Sequence, residues 1–88
     1  MSKLITNEAL RMLGDFANGI RIEFYVTPEG NEDGMLVQGE LSKRFDTRTF
    51  NRLKALGLIY GSRFREYGVL WLQYRISTKG WEIFNART

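Results

Sequence analysis

The chain lacks cysteine and histidine altogether, and only one of its 88 residues is proline. Without cysteine there is no disulfide framework and no thiolate nucleophile, and without both residue types the usual zinc ligands are missing. The lack of histidine also removes the side chain that most often transfers protons near neutral pH. The glycines form no phosphate-binding pattern. We therefore predict a protein that is not an enzyme and that uses no cofactor.

A metal site in this chain would have to be built from oxygen ligands alone. The carboxylates of Glu29, Glu32 and Asp33 do not have the spacing of a calcium-binding loop. We interpret them as part of a solvated turn and predict no metal site.

The sequence also has no long hydrophobic run. Polar and acidic residues follow the first six residues, Met1 to Thr6, so we expect neither a signal peptide nor a membrane span. Hydrophobic residues nevertheless make up 43% of the chain, which is enough for one core. We predict a single cytoplasmic domain over residues 1–88.

Charge is divided unevenly along the chain. Residues 1–40 carry three basic and seven acidic side chains, a net charge of −4, whereas residues 41–88 carry ten basic and three acidic side chains, a net charge of +7. This division indicates one face that attracts a polyanion and another that does not. The alternative is that the two halves of the sequence do not correspond to two faces.

The first 34 residues predict a helix, a strand and a loop. Thr6 is a typical helix N-cap, and apolar residues then recur at steps of three and four until Gly19. From Ile20 to Val26, apolar and polar residues alternate as in a half-buried strand. Turn residues and acids dominate residues 28–34, which we expect to be an exposed loop.

Two structures remain open for residues 35–45. Val37, Leu41 and Phe45 lie four residues apart, which favours a helix, although Gly39 weakens it. Alternatively, residues 35–37 pair with the strand at 20–26 as a hairpin. We favour the helix.

The second half predicts a helix, two strands and a last helix. Asp46 is placed to cap a helix that runs to about Leu56, with Phe50 and Leu53 on its inner face. Strands follow at 59–64 and 69–76, with Leu70, Leu72, Tyr74 and Ile76 on the core side. A final short helix begins near Ser77.

This order resembles a winged helix-turn-helix domain. The segment from Arg52 to Ile59 is similar to the end of a recognition helix, the turn around Gly68 to a wing, and the segment from Tyr74 to Gly80 to the closing strand. The resemblance implies an α+β fold with a helical core, a strand after the first helix and a C-terminal β-hairpin wing. One feature departs from the family: no turn of three or four residues separates Phe45 from Asp46, so the second helix is cut short or replaced by a hairpin.

The resemblance also implies a recognition helix at about 46–56 and a wing at about 60–76. In such a helix Arg48 reads guanine, Asn51 reads adenine and Ala55 meets a thymine methyl group. Residues that hold phosphates or the neighbouring groove are basic or polar and lie around the helix and in the wing: Lys43, Arg44, Thr47, Arg52, Lys54, Arg63 and Arg65. Each of these side chains is equally explained as an ordinary solvated residue.

The strand face that carries Val69 and Trp71 is unusually apolar for a solvated surface. It predicts a dimer or partner contact, unless the final helix folds back over Trp71. Tyr60, Phe64, Tyr67 and Trp71 also suggest base stacking on single strands, which we consider the weaker explanation.

We therefore predict a small protein that binds double-stranded DNA at specific sequences and regulates transcription in a bacterium or a phage. A homodimer is one state that we consider for it. The alternative is a protein-interaction module, such as a phage inhibitor or adaptor of a host protein. That module would use the acidic N-terminal half or the Val69 and Trp71 face.

Overall fold

The structure is a computed structural model that describes residues 5–87. The start of the chain, for which we expect no signal peptide, lies outside these residues. The described residues form three helices and four strands, in this order along the chain: α1 (Asn7–Ala17), β1 (Arg21–Val26), β2 (Glu32–Gln38), α2 (Thr47–Ala55), β3 (Ile59–Glu66), β4 (Val69–Ile76) and α3 (Thr78–Arg87). The chain is therefore an α+β protein.

The four strands form one antiparallel sheet in the order β2-β1-β4-β3. The central strands β1 and β4 come from opposite halves of the chain and pair with Ile22 opposite Tyr74 and Val26 opposite Leu70. Because side chains alternate between the faces of a strand, these paired residues share one face of the sheet. The helices pack on that face, so the sheet has one covered and one open face.

The core lies between the sheet and the helices. Thr6 caps α1 by accepting a hydrogen bond from the Ala9 amide, as the sequence predicts, and the apolar stripe of α1 is buried. The partly buried Ile83 and Phe84 of α3 close the side of the core. The buried apolar residues are Ala9, Met12, Leu13, Phe16, Ile20, Ile22, Val26, Phe50, Leu53, Leu58, Ile59, Leu72, Tyr74 and Ile76.

The favoured helix at residues 35–45 is wrong, and the hairpin alternative describes this segment. Val37 pairs with Ile22 across β1 and β2, and the chain then passes Gly39 with a φ of 100°, which is a left-handed conformation and not a helical one. The helical spacing of these residues predicted the wrong structure because Leu41 and Phe45 are half-buried in an irregular connection and not on a helix face. The predicted loop is also shorter, since β2 already begins at Glu32.

The winged-helix arrangement is wrong as well. The second helix is replaced by β2, and the strands predicted as a wing at 60–76 belong to the main sheet, where β4 pairs with both β1 and β3. A helix, α3, follows them, so the chain does not end in a β-hairpin wing. The sequence pattern identified these strands but not the pairing of β4 with β1, because that pairing joins residues about 50 positions apart.

Candidate nucleic-acid interface

The helix α2 begins at a strong cap. The Asp46 carboxylate accepts hydrogen bonds from the Arg48 amide at 3.2 Å and from the Thr49 hydroxyl at 2.6 Å. The Thr49 hydrogen bond is the main reason that the pKa of Asp46 lies below its ordinary value, and the backbone amides add to it. A charged Asp46 also stabilises the positive end of the helix dipole.

Packing fixes which side of α2 faces solvent. Phe50 is buried against the rings of Phe24, Phe45 and Tyr74, with centroids 5.9, 5.3 and 5.0 Å away, and Leu53 is fully buried one turn later. The opposite side consists of exposed residues: Thr47, Arg48, Asn51, Arg52 and Ala55. This is the side predicted from the sequence, because three strong apolar positions determine the helix phase.

Two arginines of this exposed side make no internal ion pair. Neither Arg48 nor Arg52 forms a salt bridge with any described side chain, and Arg44 just before the helix also has none. Arg48 and Arg52 lie one turn apart on α2, and both line one depression together with Asn51. They are therefore available to an anionic ligand without loss of an existing contact.

Two of the predicted DNA contacts are already engaged within the protein. The Lys43 ammonium lies 3.9 Å from the Glu8 carboxylate. The half-buried Lys54 ammonium lies 4.9 Å from the Phe50 ring centroid and 5.2 Å from that of Tyr74, as in a cation–π contact. Both lysines contribute positive charge to the surface, but each has a structural partner.

Arg63 and Arg65 lie on the helix side of β3. They pair across the strands with Leu72 and Leu70, whose side chains face the helices. Both arginines are exposed and form no salt bridge within the described part of the chain. The structure thus places Arg63, Arg65 and the exposed side of α2 on the same side of the sheet.

Carboxylates border α2 on both flanks. On one flank Glu32 and Asp33 line a cleft of about 440 Å³ together with Asn51 and Lys54. Glu32 accepts a hydrogen bond from the Tyr74 hydroxyl at 3.3 Å, and burial, reinforced by this carboxylate, raises the pKa of Tyr74.

On the other flank, Glu8 borders a depression next to Arg48 and Arg52. The Arg11 side chain donates a hydrogen bond of 2.8 Å to the Glu8 carboxylate, which lowers the pKa of Glu8. The capping carboxylate of Asp46 lines the same depression, so both flanks of α2 combine basic and acidic side chains.

The acidic first half of the sequence does not form one acidic surface. Asp15 is buried and accepts hydrogen bonds from the amide and hydroxyl of Ser42, while Glu8 is bound to Arg11. Glu23 is also buried, where it accepts from the side-chain amides of Gln38 and Gln73 at 2.9 and 2.5 Å. Exposed acidity remains mainly in and next to the β1–β2 turn.

The predicted partner face around Val69 and Trp71 lies on the opposite side of the sheet from α2. The final helix does not cover Trp71, because α3 packs against α1, with Phe84 touching Gly14. Three aromatic residues join Trp71 on this uncovered face, namely Tyr25, Tyr60 and Phe64. The sequence indicates Tyr60 and Phe64 only as possible stacking residues. It does not place Tyr25 on this face, because that position depends on the long-range pairing of β1 with β4.

Comparisons with models of protein families, with curated proteins and with solved structures give no match to this chain. Among residues 5–87, no helix has the length and apolar character needed to cross a bilayer. The same part of the chain contains no group of three or more acidic side chains placed to hold a metal ion. The function therefore has to be inferred from the surfaces described above.

Proposed function

We propose that the protein binds double-stranded DNA through the exposed side of α2. The observation that carries this proposal is the pair of unpaired, exposed arginines, Arg48 and Arg52, beside Asn51 on a helix with a fixed orientation. Arginine bonds guanine or phosphate, and asparagine bonds adenine, in the major groove. In this proposal the protein is a cytoplasmic, non-enzymatic regulator of transcription from a bacterium or a phage.

The dimensions of α2 suit a groove contact. Its nine residues span about 13 Å. A helix with its side chains is about 10–12 Å across, so the major groove, which is about 12 Å wide, admits one helix. Thr47 and Arg48 lie at the N-terminal end, which is the end that usually approaches base edges in DNA-binding helices, and Asn51 lies one turn later at the middle of α2. In this arrangement Arg48 and Asn51 read bases and Arg52 holds a phosphate.

The phosphate contacts extend beyond α2 in this proposal. Arg44, Arg63 and Arg65 are exposed and without ion pairs among the described side chains, so they can bind the DNA backbone on either side of the groove. Lys43 and Lys54 contribute less, because they remain near Glu8 and the two aromatic rings.

The first test is selection from random duplex DNA, followed by affinity measurements over a series of salt concentrations. We expect an enriched sequence whose affinity falls as salt rises, because phosphate binding releases counterions. Replacing both Arg48 and Arg52 with alanine should lower affinity by at least about tenfold and reduce the slope of log affinity against log salt by about 1. The fold should survive, since both side chains are exposed and neither forms a salt bridge with a described side chain.

Two single variants sharpen this test. Lys79→Ala removes one positive charge from the exposed start of α3 and should leave the affinity nearly unchanged. Asn51→Ala removes no charge, so it should keep the salt dependence while reducing the preference for the selected sequence. A loss of binding free energy in Lys79→Ala about half that of the double arginine variant would mean that binding follows net charge alone, and the proposed site would be rejected.

A protein-interaction function is the second candidate, and one observation favours it. The uncovered face of the sheet carries aromatic side chains that no described element of the protein covers. This face is separate from α2, so both kinds of contact can exist in the same molecule.

A further inference from the structure

The uncovered side of the sheet, which we call the open sheet face, has a defined arrangement of side chains. Its centre is aromatic: Trp71 packs edge-on against Tyr25, with ring centroids 6.2 Å apart, and pairs directly with Phe64. The neighbouring row across the sheet consists of Leu36, Glu23, Gln73 and Ser62. Leu36 is 50% exposed and Tyr60 is 46% exposed, so apolar surface remains in contact with solvent.

Opposite charges occupy the two ends of the open sheet face. Arg21 and Arg75 lie at one end, beside the paired residues Ile22 and Tyr74 of the central strands. Glu66 lies at the other end, where it pairs with Val69, and Asp33 lies one row further in, opposite Tyr25. The charge of the face therefore changes from positive to negative along the strand direction, and the aromatic residues lie between the charged ends.

We propose that the open sheet face binds the same face of a second copy of this chain. The two-fold axis lies midway between the two stacked sheets. It runs parallel to the sheets and perpendicular to the strands. This rotation reverses the strand direction, so the arginine end of each copy lies over the carboxylate end of the other. Each Arg75 then faces Val69 and Glu66 of the second copy.

The charges also select this axis over the other in-plane axis. A two-fold axis parallel to the strands would place Arg21 and Arg75 over the arginines of the second copy, and the carboxylates over each other. Like charges brought together in an interface oppose association. The perpendicular axis places Arg75 beside Glu66 of the second copy, and the row of Tyr25, Trp71 and Phe64 then packs over the row of Glu23, Gln73 and Ser62.

The size and composition of the open sheet face agree with a protein interface. Four strands spaced about 4.8 Å apart and about 23 Å long give a projected area of roughly 450 Å² per copy. Because side chains project from the sheet, the accessible area of the face is larger than this projected area and approaches that of a small specific interface. Aromatic residues and arginine are enriched in protein interfaces, which matches Trp71 near the middle of the face and Tyr60 and Arg75 at one end.

A single-stranded nucleic acid is a poorer match to this face. Two arginines stand against three carboxylates, and one of these, Glu23, lies in the middle of the face. A phosphate backbone crossing the sheet would have to pass these carboxylates without an excess of positive charge to attract it.

The oligomeric state, measured by sedimentation equilibrium with the complete chain, tests the proposal. We expect a dimer at micromolar to sub-millimolar concentrations. Glu66→Arg should weaken dimerisation at least tenfold, because it places an arginine opposite Arg75, and the double variant Glu66→Arg with Arg75→Glu should restore it by reversing both charges. Glu82→Arg makes the same charge change on α3 and should leave the dimer unchanged.

A crosslinking variant provides a second measurement that does not alter Arg75, whose side chain also hydrogen-bonds Gln73. Ser62 lies in the row nearest the proposed axis, so Ser62→Cys should place two thiols close together in a chain that otherwise has no cysteine. A short bismaleimide should join Ser62→Cys chains in high yield and Glu82→Cys chains in low yield.

Three results would overturn the proposal. One is a wild-type protein that stays monomeric at sub-millimolar concentration. Another is a dimer that neither responds to Glu66→Arg nor crosslinks through Ser62→Cys, because its interface would then lie elsewhere. The third is a monomer that binds a labelled single-stranded oligonucleotide and loses this binding in Trp71→Ala, since the face would then be a stacking platform.

Discussion

Gly14 and Gly80 both lie in helices, yet an added methyl group meets different neighbours at the two positions. At Gly80 a Cβ atom would overlap the Leu58 carbonyl oxygen and lie 2.8 Å from Ile76 Cγ1. At Gly14 it would meet only the edge of the Phe84 ring, at an ordinary distance of 3.4 Å. Gly80 is therefore required for α3 to approach the start of β3, whereas Gly14 is not required for packing.

This difference gives a prediction for two matched substitutions. Gly80→Ala should lower the free energy of unfolding by about 1–3 kcal/mol or more, because backbone atoms have to move. Gly14→Ala should raise it by up to about 1 kcal/mol, since alanine favours a helix interior. Thermal and urea unfolding of the two variants measure the effects, and equal effects would show that α3 does not pack as described.

The turn between β3 and β4 carries local strain. Tyr67 and Gly68 have positive φ values of 56° and 76°, as in the two-residue turn that matches the twist of a hairpin. Glycine adopts this conformation easily, but tyrosine does not. The Tyr67 side chain is 95% exposed, so its packing does not compensate for the strain.

Tyr67→Asn should therefore stabilise the protein. Asparagine tolerates a positive φ, and relief of the strain should raise the free energy of unfolding by about 1 kcal/mol, which corresponds to about 4–8 °C in the melting temperature. Differential scanning calorimetry measures this change. Tyr67→Ala provides the control, because it removes the same ring without favouring the turn; equal gains in both variants would point to the ring and not to the backbone.

The elements differ in how far the sequence determines them. The helix α2 and its exposed side were predicted correctly because a cap residue and several apolar positions at helical spacing are all local signals. Residues 35–45 were predicted wrongly because Val37 is held by its pairing with Ile22, which the local pattern does not contain. Of the open sheet face, the sequence predicts the Val69 and Trp71 side of β4 but not the contribution of β1, since that requires β1 and β4 to lie side by side.

At the scale of the whole molecule, the two halves of the sequence are interleaved. Strands β1 and β4 pair along the centre of the sheet, and α1 packs against both α2 and α3. The acidic and basic halves are thus parts of one core. Neither half keeps its central strand partner without the other.

Two fragments that meet between Arg44 and Phe45 should show this dependence directly. Each fragment alone should lack stable structure, because it leaves the apolar side of its sheet strands and helices uncovered. Equimolar mixing should recover the circular dichroism spectrum of the complete chain. A stable basic fragment in isolation would contradict the shared core.

The pairing of β1 with β4 also has a practical consequence. If the fragments reassemble, they form a split protein in which opposite net charges speed the encounter and the central strand pair closes the sheet. Fused to two other proteins, such fragments would report when those proteins come together, and the proposed DNA affinity would return only in cells where both halves are present.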